Sequence, residues 1–141
     1  MAFYGKLKPF AMEGEKMDFA VDFFAGLVGL IHIYIFRMES FAWGRPRTNR
    51  TFAVTVSEAQ VLKTMAFNQG FYNLFLALAI FAGFIWSRLG HKAEGQVLID
   101  YGCLSVFGAA AVLMGSSPKL WRAALIQGGP AALYGILRVL A

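Results

Sequence analysis

Charge is scarce in this chain. Only 15% of its 141 residues are Asp, Glu, Lys or Arg, while 58% are hydrophobic. Soluble domains average about 25% charged and about 45–50% apolar residues. A soluble domain this small has too little interior to hide that much apolar surface. A bilayer can cover it. Cysteine is scarcer still. Cys103 stands alone, which excludes an internal disulfide and any Cys-x-x-Cys redox or zinc motif. The two histidines, His32 and His91, have neither haem nor zinc spacing, so no metal and no cofactor is expected. No Ser/His/Asp triad, glycine-rich phosphate loop or H-E-x-x-H motif occurs. The net charge of +5 comes from bases scattered near the ends of apolar runs. That placement argues against nucleic acid and matches the membrane interface. No cleavable signal peptide is evident, because the first apolar run is too long and follows mixed charges.

What is present is long apolar runs. Four of them, at about 19–43, 62–86, 96–115 and 120–140, have the length to cross a bilayer, which takes about 20 residues. Residues 1–17 read as a polar tail, and Met17 is an alternative start. Residues 18–141 read as one all-α integral membrane domain, a four-helix antiparallel bundle, because short loops make sequence neighbours antiparallel. In the 44–60 connection Pro46 stops the first helix. Residues 51–56 alternate like a short strand or an interfacial segment, and Ser57 is the expected N-cap of the second span. Gly and Ala in the third span allow close helix approach. The basic residues divide almost evenly between the two sides, so the positive-inside rule leaves orientation open.

The polar residues inside these runs are the candidate site. With Trp43 and Lys63 taken as level, His32 and Asn73 each lie roughly 15 Å in, and Gln127 roughly 12 Å from Lys119. Glu39, roughly 6 Å in, lies at the level of Asn68 and Gln69. His32, Phe36, Glu39 and Trp43 share one helical stripe, and Gln69 and Asn73 share a face. Arg37 lies about 200° from Glu39 around the helix and is expected to snorkel to headgroups. Unpaired polar groups are costly in lipid, so these residues are expected to face inward and bond each other. That arrangement serves either as interhelical glue or as a ligand or ion site. Tyr34, Tyr72, Asp100 and Cys103 are secondary candidates, with Asp100 an interfacial carboxylate in the other leaflet and Cys103 a small buried residue.

The pattern His32-x-Tyr34…Glu39-x-Phe41-x-Trp43, then Asn68-Gln69-Gly70-Phe71-Tyr72-Asn73, then Cys103…Gly108 and Gln127-x-x-Pro130-Ala131 resembles a family of small bacterial four-helix membrane proteins. That family is known only as domain of unknown function 1304. Arg37 and Ser40 stand where its pattern is apolar, and Leu74 where it has glycine. The resemblance implies the fold and the polar positions and supplies no reaction.

The functional expectation is a small multi-pass membrane protein, placed in a bacterial inner membrane. It is either an accessory or interaction protein, in a homo-oligomer or larger assembly, or a small-molecule binder. A proton or ion pathway through His32 and Glu39 is the alternative. A membrane enzyme using them as acid and base has the least support, since no nucleophile or metal set accompanies them.

Overall fold

The computed structural model describes residues 8–141. It contains four long helices, α1 (Lys8–Phe41), α4 (Lys63–Arg88), α5 (Lys92–Ser116) and α6 (Trp121–Leu140). Two short helices, α2 (Pro46–Thr51) and α3 (Val56–Val61), bridge α1 to α4, and a 3-10 turn, Pro118–Leu120, precedes α6. All four long helices are long and apolar enough to cross a membrane. Each packs on its sequence neighbours, and α1 packs on α6, closing a ring. The outer faces carry exposed Phe19, Leu30, Phe75, Leu104 and Ile136, the surface that lipid covers.

The two halves of the bundle differ. One half holds the packed core of Val21, Ala25 and Val28 from α1, Ile80 from α4, Ile99, Cys103 and Val106 from α5, and Ala131 and Tyr134 from α6. Here glycines bring α4 and α5 into near-backbone contact. A Cβ on Gly83 would lie 2.6 Å from the Gly95 carbonyl oxygen. In lipid such close packing replaces the hydrophobic force as the source of helix association. The other half, toward the C-terminus of α1, is open inside.

Several boundaries differ from the sequence reading. Helix α1 is already formed at Lys8, ahead of the apolar run that starts near residue 19. Hydropathy marks where the chain enters the apolar layer, whereas Ala11, Met12, Glu13, Glu15 and Lys16 are good helix formers that carry the helix further out. Residues 1–7 of the expected tail lie outside the described residues. Of the two alternatives for 51–56, the strand is not formed, and the described residues contain no strand. Thr51 ends α2, and Ala53 takes φ 53°, which turns the chain away from an extended path. The N-cap after it is Thr55, not Ser57. Thr55 accepts from the Glu58 backbone N–H, and Glu58 reaches back to the Thr55 backbone N–H at 2.7 Å. Only a cap at 55 puts a glutamate at the third helical position, where this reciprocal pair closes. Helix α6 continues through Pro130, as expected where neighbours accommodate the freed carbonyl.

Candidate functional site

The open half of the bundle contains a cavity of about 440 Å³. All four long helices line it, with Glu39 from α1, Gln69 and Asn73 from α4, Ala109 and Leu113 from α5, and Gln127 from α6. Thr51 and Phe52 of the connection line its outer end. Trp43 holds that connection in place: its indole N–H donates to the Ala59 carbonyl at 2.8 Å, and its ring lies 5.2 Å from that of Phe52.

Glu39 and Asn73 form the polar centre of the wall. Asn73 Nδ2 donates to a Glu39 carboxylate oxygen at 2.7 Å and also approaches the Gln69 carbonyl at 3.2 Å. Both residues are buried. Gly70 makes the approach possible, since a Cβ there would meet Ser40 Oγ and lie 3.2 Å from Glu39 Cβ. Ser40 Oγ donates to the Phe67 carbonyl at 3.2 Å and pins the register. Among the described residues, the second Glu39 oxygen and the side-chain amides of Gln69, which is exposed, and of Gln127, which is half-buried, form no hydrogen bond within the protein. These groups are free to bond a guest.

Of the expected cluster, the structure brings together Glu39, Gln69, Asn73 and Gln127. It does not bring His32 to them. His32 is 1% exposed, its Nδ1–H donates to the Val28 carbonyl of its own helix at 2.9 Å, and it does not line the cavity. Asn73 was expected level with His32 and instead meets Glu39, two turns along α1. The reason is register. Ser40 faces Phe67 and Gly70, which puts Lys63 about one turn outside Trp43 rather than level with it. Asn68 and Tyr72 are exposed on the outer surface of α4 and stay out of the cavity. Tyr34 lines its edge.

Asp100 and Cys103 belong to the packed half. Tyr134 donates its hydroxyl hydrogen to Asp100, and the Gln96 amide donates to Asp100 at 3.0 Å and to the Tyr134 oxygen at 2.9 Å. Arg138 Nε stands 3.5 Å from the same carboxylate. Cys103 is fully buried one turn away. The partners Gln96, Tyr134 and Arg138 were missed by sequence reasoning. The available signal was the pair of i, i+4 spacings, Gln96 with Asp100 and Tyr134 with Arg138. No group of three or more His, Cys, Asp or Glu side chains converges in metal-binding geometry among the described residues.

Four apolar helices around a largely apolar recess with a few polar groups in its wall define a class, the small multi-pass membrane protein with an interhelical cavity. More particularly, the chain belongs to the family described as "Protein of unknown function (DUF1304)", which matches residues 26–139. The resemblance seen in the polar motifs therefore holds. No curated protein and no solved structure matches the chain.

Proposed function

We propose that this protein binds a small amphipathic molecule in the cavity between its four helices. The molecule presents a hydrogen-bond donor, an ammonium or hydroxyl group, to Glu39. The observation that carries this reading is the Glu39–Asn73 pair in the wall of a largely apolar recess, with the second carboxylate oxygen and the Gln69 and Gln127 amides left unbonded. About 440 Å³ falls in the range of small-molecule sites, which run from about 300 to about 1,000 Å³ and combine apolar walls with a few placed polar groups. Pure interhelical glue would pair the half-buried Gln127 amide with a neighbouring helix, because an unpaired amide in lipid is costly.

A proton path from Glu39 to His32 has less support. His32 lies outside the cavity and spends its Nδ1–H on its own helix. We take the membrane to be a bacterial inner membrane, since bacterial outer-membrane spans are β-barrels and these spans are helical.

The test is thermal stabilisation of the purified protein in detergent by decylamine and by decanol, read against decane. A saturable upward shift with an amine or alcohol, lost in Glu39→Gln for the amine, supports the reading. Equal responses to all three chain compounds, or an unchanged amine response in Glu39→Gln, overturn it.

A further inference from the structure

A second cleft, adjoining the Glu39 cavity along Tyr34, Met38 and Thr51, lies where α1 gives way to α2. Its volume is about 540 Å³, and its wall includes Arg37, Arg45, Arg47, Tyr34 and Thr48. The local backbone explains why three arginines meet there. Gly44 takes φ 84°, a conformation that suits glycine. The Arg45 N–H closes the turn onto the Ala42 carbonyl at 3.2 Å. Pro46 then starts α2 at once, with its ring preset for the first helical position. The chain thus folds back so that Arg45 and Arg47 line the same cleft as Arg37, one turn from the end of α1. Thr51 Oγ1 donates to the Arg47 carbonyl at 3.0 Å and ties the far end of α2 to its start.

The electrostatics of this cleft are one-sided. No carboxylate lines it. Among the described residues the one ion pair is Arg138 with Asp100, in the other half of the bundle, so none of the three guanidinium groups is neutralised by the protein. All three arginines are exposed, and three like charges lining one cleft give it a positive potential that attracts an anion. The planar guanidinium fork matches phosphate oxygens in pairs. The cleft lies at the end of the first membrane-length helix, which closes at Phe41, and basic residues at such ends meet the headgroup region.

We infer that the Arg37/Arg45/Arg47 cleft is a phosphate-binding site, taking the phosphate of a mono- or diester at the membrane surface. The inference does not depend on the reading of the Glu39 cavity. The ester is either a lipid headgroup or a soluble phosphate ester, and the binding experiment separates them.

Purified full-length protein is titrated in detergent with glycerol 3-phosphate, with short-chain phosphatidylglycerol and with short-chain phosphatidylcholine, and bound species are counted by native mass spectrometry. Saturable binding of phosphatidylglycerol well above phosphatidylcholine identifies a lipid headgroup. Binding of glycerol 3-phosphate as tightly as the lipid identifies a soluble ester. In either case Arg47→Ala and Arg45→Ala weaken binding about tenfold, the loss of a charge-assisted hydrogen-bonded pair. Arg50→Ala removes the same charge from the same short helix outside the cleft and leaves binding within about twofold. Arg47→Lys keeps the charge and the fold but loses the paired geometry, so it too binds severalfold more weakly. Equal losses in Arg50→Ala and Arg47→Ala, full retention in Arg47→Lys, or equal binding of phosphatidylcholine would reduce the cleft to general surface charge and overturn the inference. So would the absence of saturable binding by any of the three compounds.

Discussion

Asn73 donates its amide hydrogen to Glu39 across 34 residues of chain, at 2.7 Å, joining α4 to α1 inside the apolar layer. The two side chains are not equivalent in what their loss exposes. Asn73→Leu leaves a buried carboxyl group without its partner, which costs about 1–3 kcal/mol. Glu39→Gln leaves an amide oxygen that still accepts from Asn73, and costs less than about 1 kcal/mol. Reversible unfolding in bicelles measures both. A Glu39→Gln protein that unfolds as readily as Asn73→Leu would show that the charge, not the hydrogen bond, holds the helices there.

The α4–α5 contact is set by backbone proximity. Alanine usually stabilises a helix relative to glycine by about 1 kcal/mol. At Gly83 the sign reverses. The new Cβ would stand 2.6 Å from the Gly95 oxygen and 3.1 Å from the Ile99 nitrogen, both backbone atoms that cannot step aside alone. Gly83→Ala is therefore expected to lose about 1–3 kcal/mol through helix displacement. Gly108→Ala, where a Cβ meets nothing, serves as the control and stays within about 1 kcal/mol of the parent. Similar melting temperatures for the two variants would contradict the contact.

Tyr134→Phe tests the second polar group. The hydroxyl joins Asp100 to Gln96 in a residue that is 1% exposed. Removing it leaves the Asp100 carboxyl short of a donor and costs about 1–3 kcal/mol. Arg138→Ala removes a half-exposed ion pair at 3.5 Å and costs at most about 1 kcal/mol. Thermal melting in one detergent ranks the two, and the order is the prediction.

The capping box gives a pH dependence confined to α3. Hydrogen bonds from the Thr55 backbone and side chain hold the Glu58 carboxyl below the ordinary glutamate value of 4.5. A depressed carboxyl adds stability above its unfolded value and loses it as pH falls through the folded one. Amide hydrogen exchange at residues 56–61 should therefore stay slow at neutral pH and lose protection, beyond the intrinsic pH effect, as pH drops below about 4.5. Thr55→Ala should lose that protection at every pH. Protection in the parent that ignores pH across this range would rule the box out as its source.

Part of this was readable in the chain. Four apolar runs and their short connections implied four crossing helices, because backbone groups in lipid must bond within their own segment. Glu39, Asn73 and Gln127 stood out because polar side chains there need partners. Their actual pairing was not readable, since depth counted along each helix depends on where two helices are taken to be level. A shift of about one turn in that zero moved Asn73 away from the level of His32, and the reach of the two side chains closes the remaining turn to Glu39. Close packing at Gly70 and the Ser40–Phe67 hydrogen bond decide it, and neither has a hydropathy signature.

Residue character alone specifies the class of object: a chain too apolar for water, cut into four membrane-length helices, with a handful of polar groups set within them. Packing of the helices sets the rest: the core fills one half of the bundle and a cavity the other, His32 turns to its own helix, and three arginines share one cleft. Those facts arise from interhelical register and from one glycine turn, which depend on the fit of whole surfaces rather than on the character of single residues.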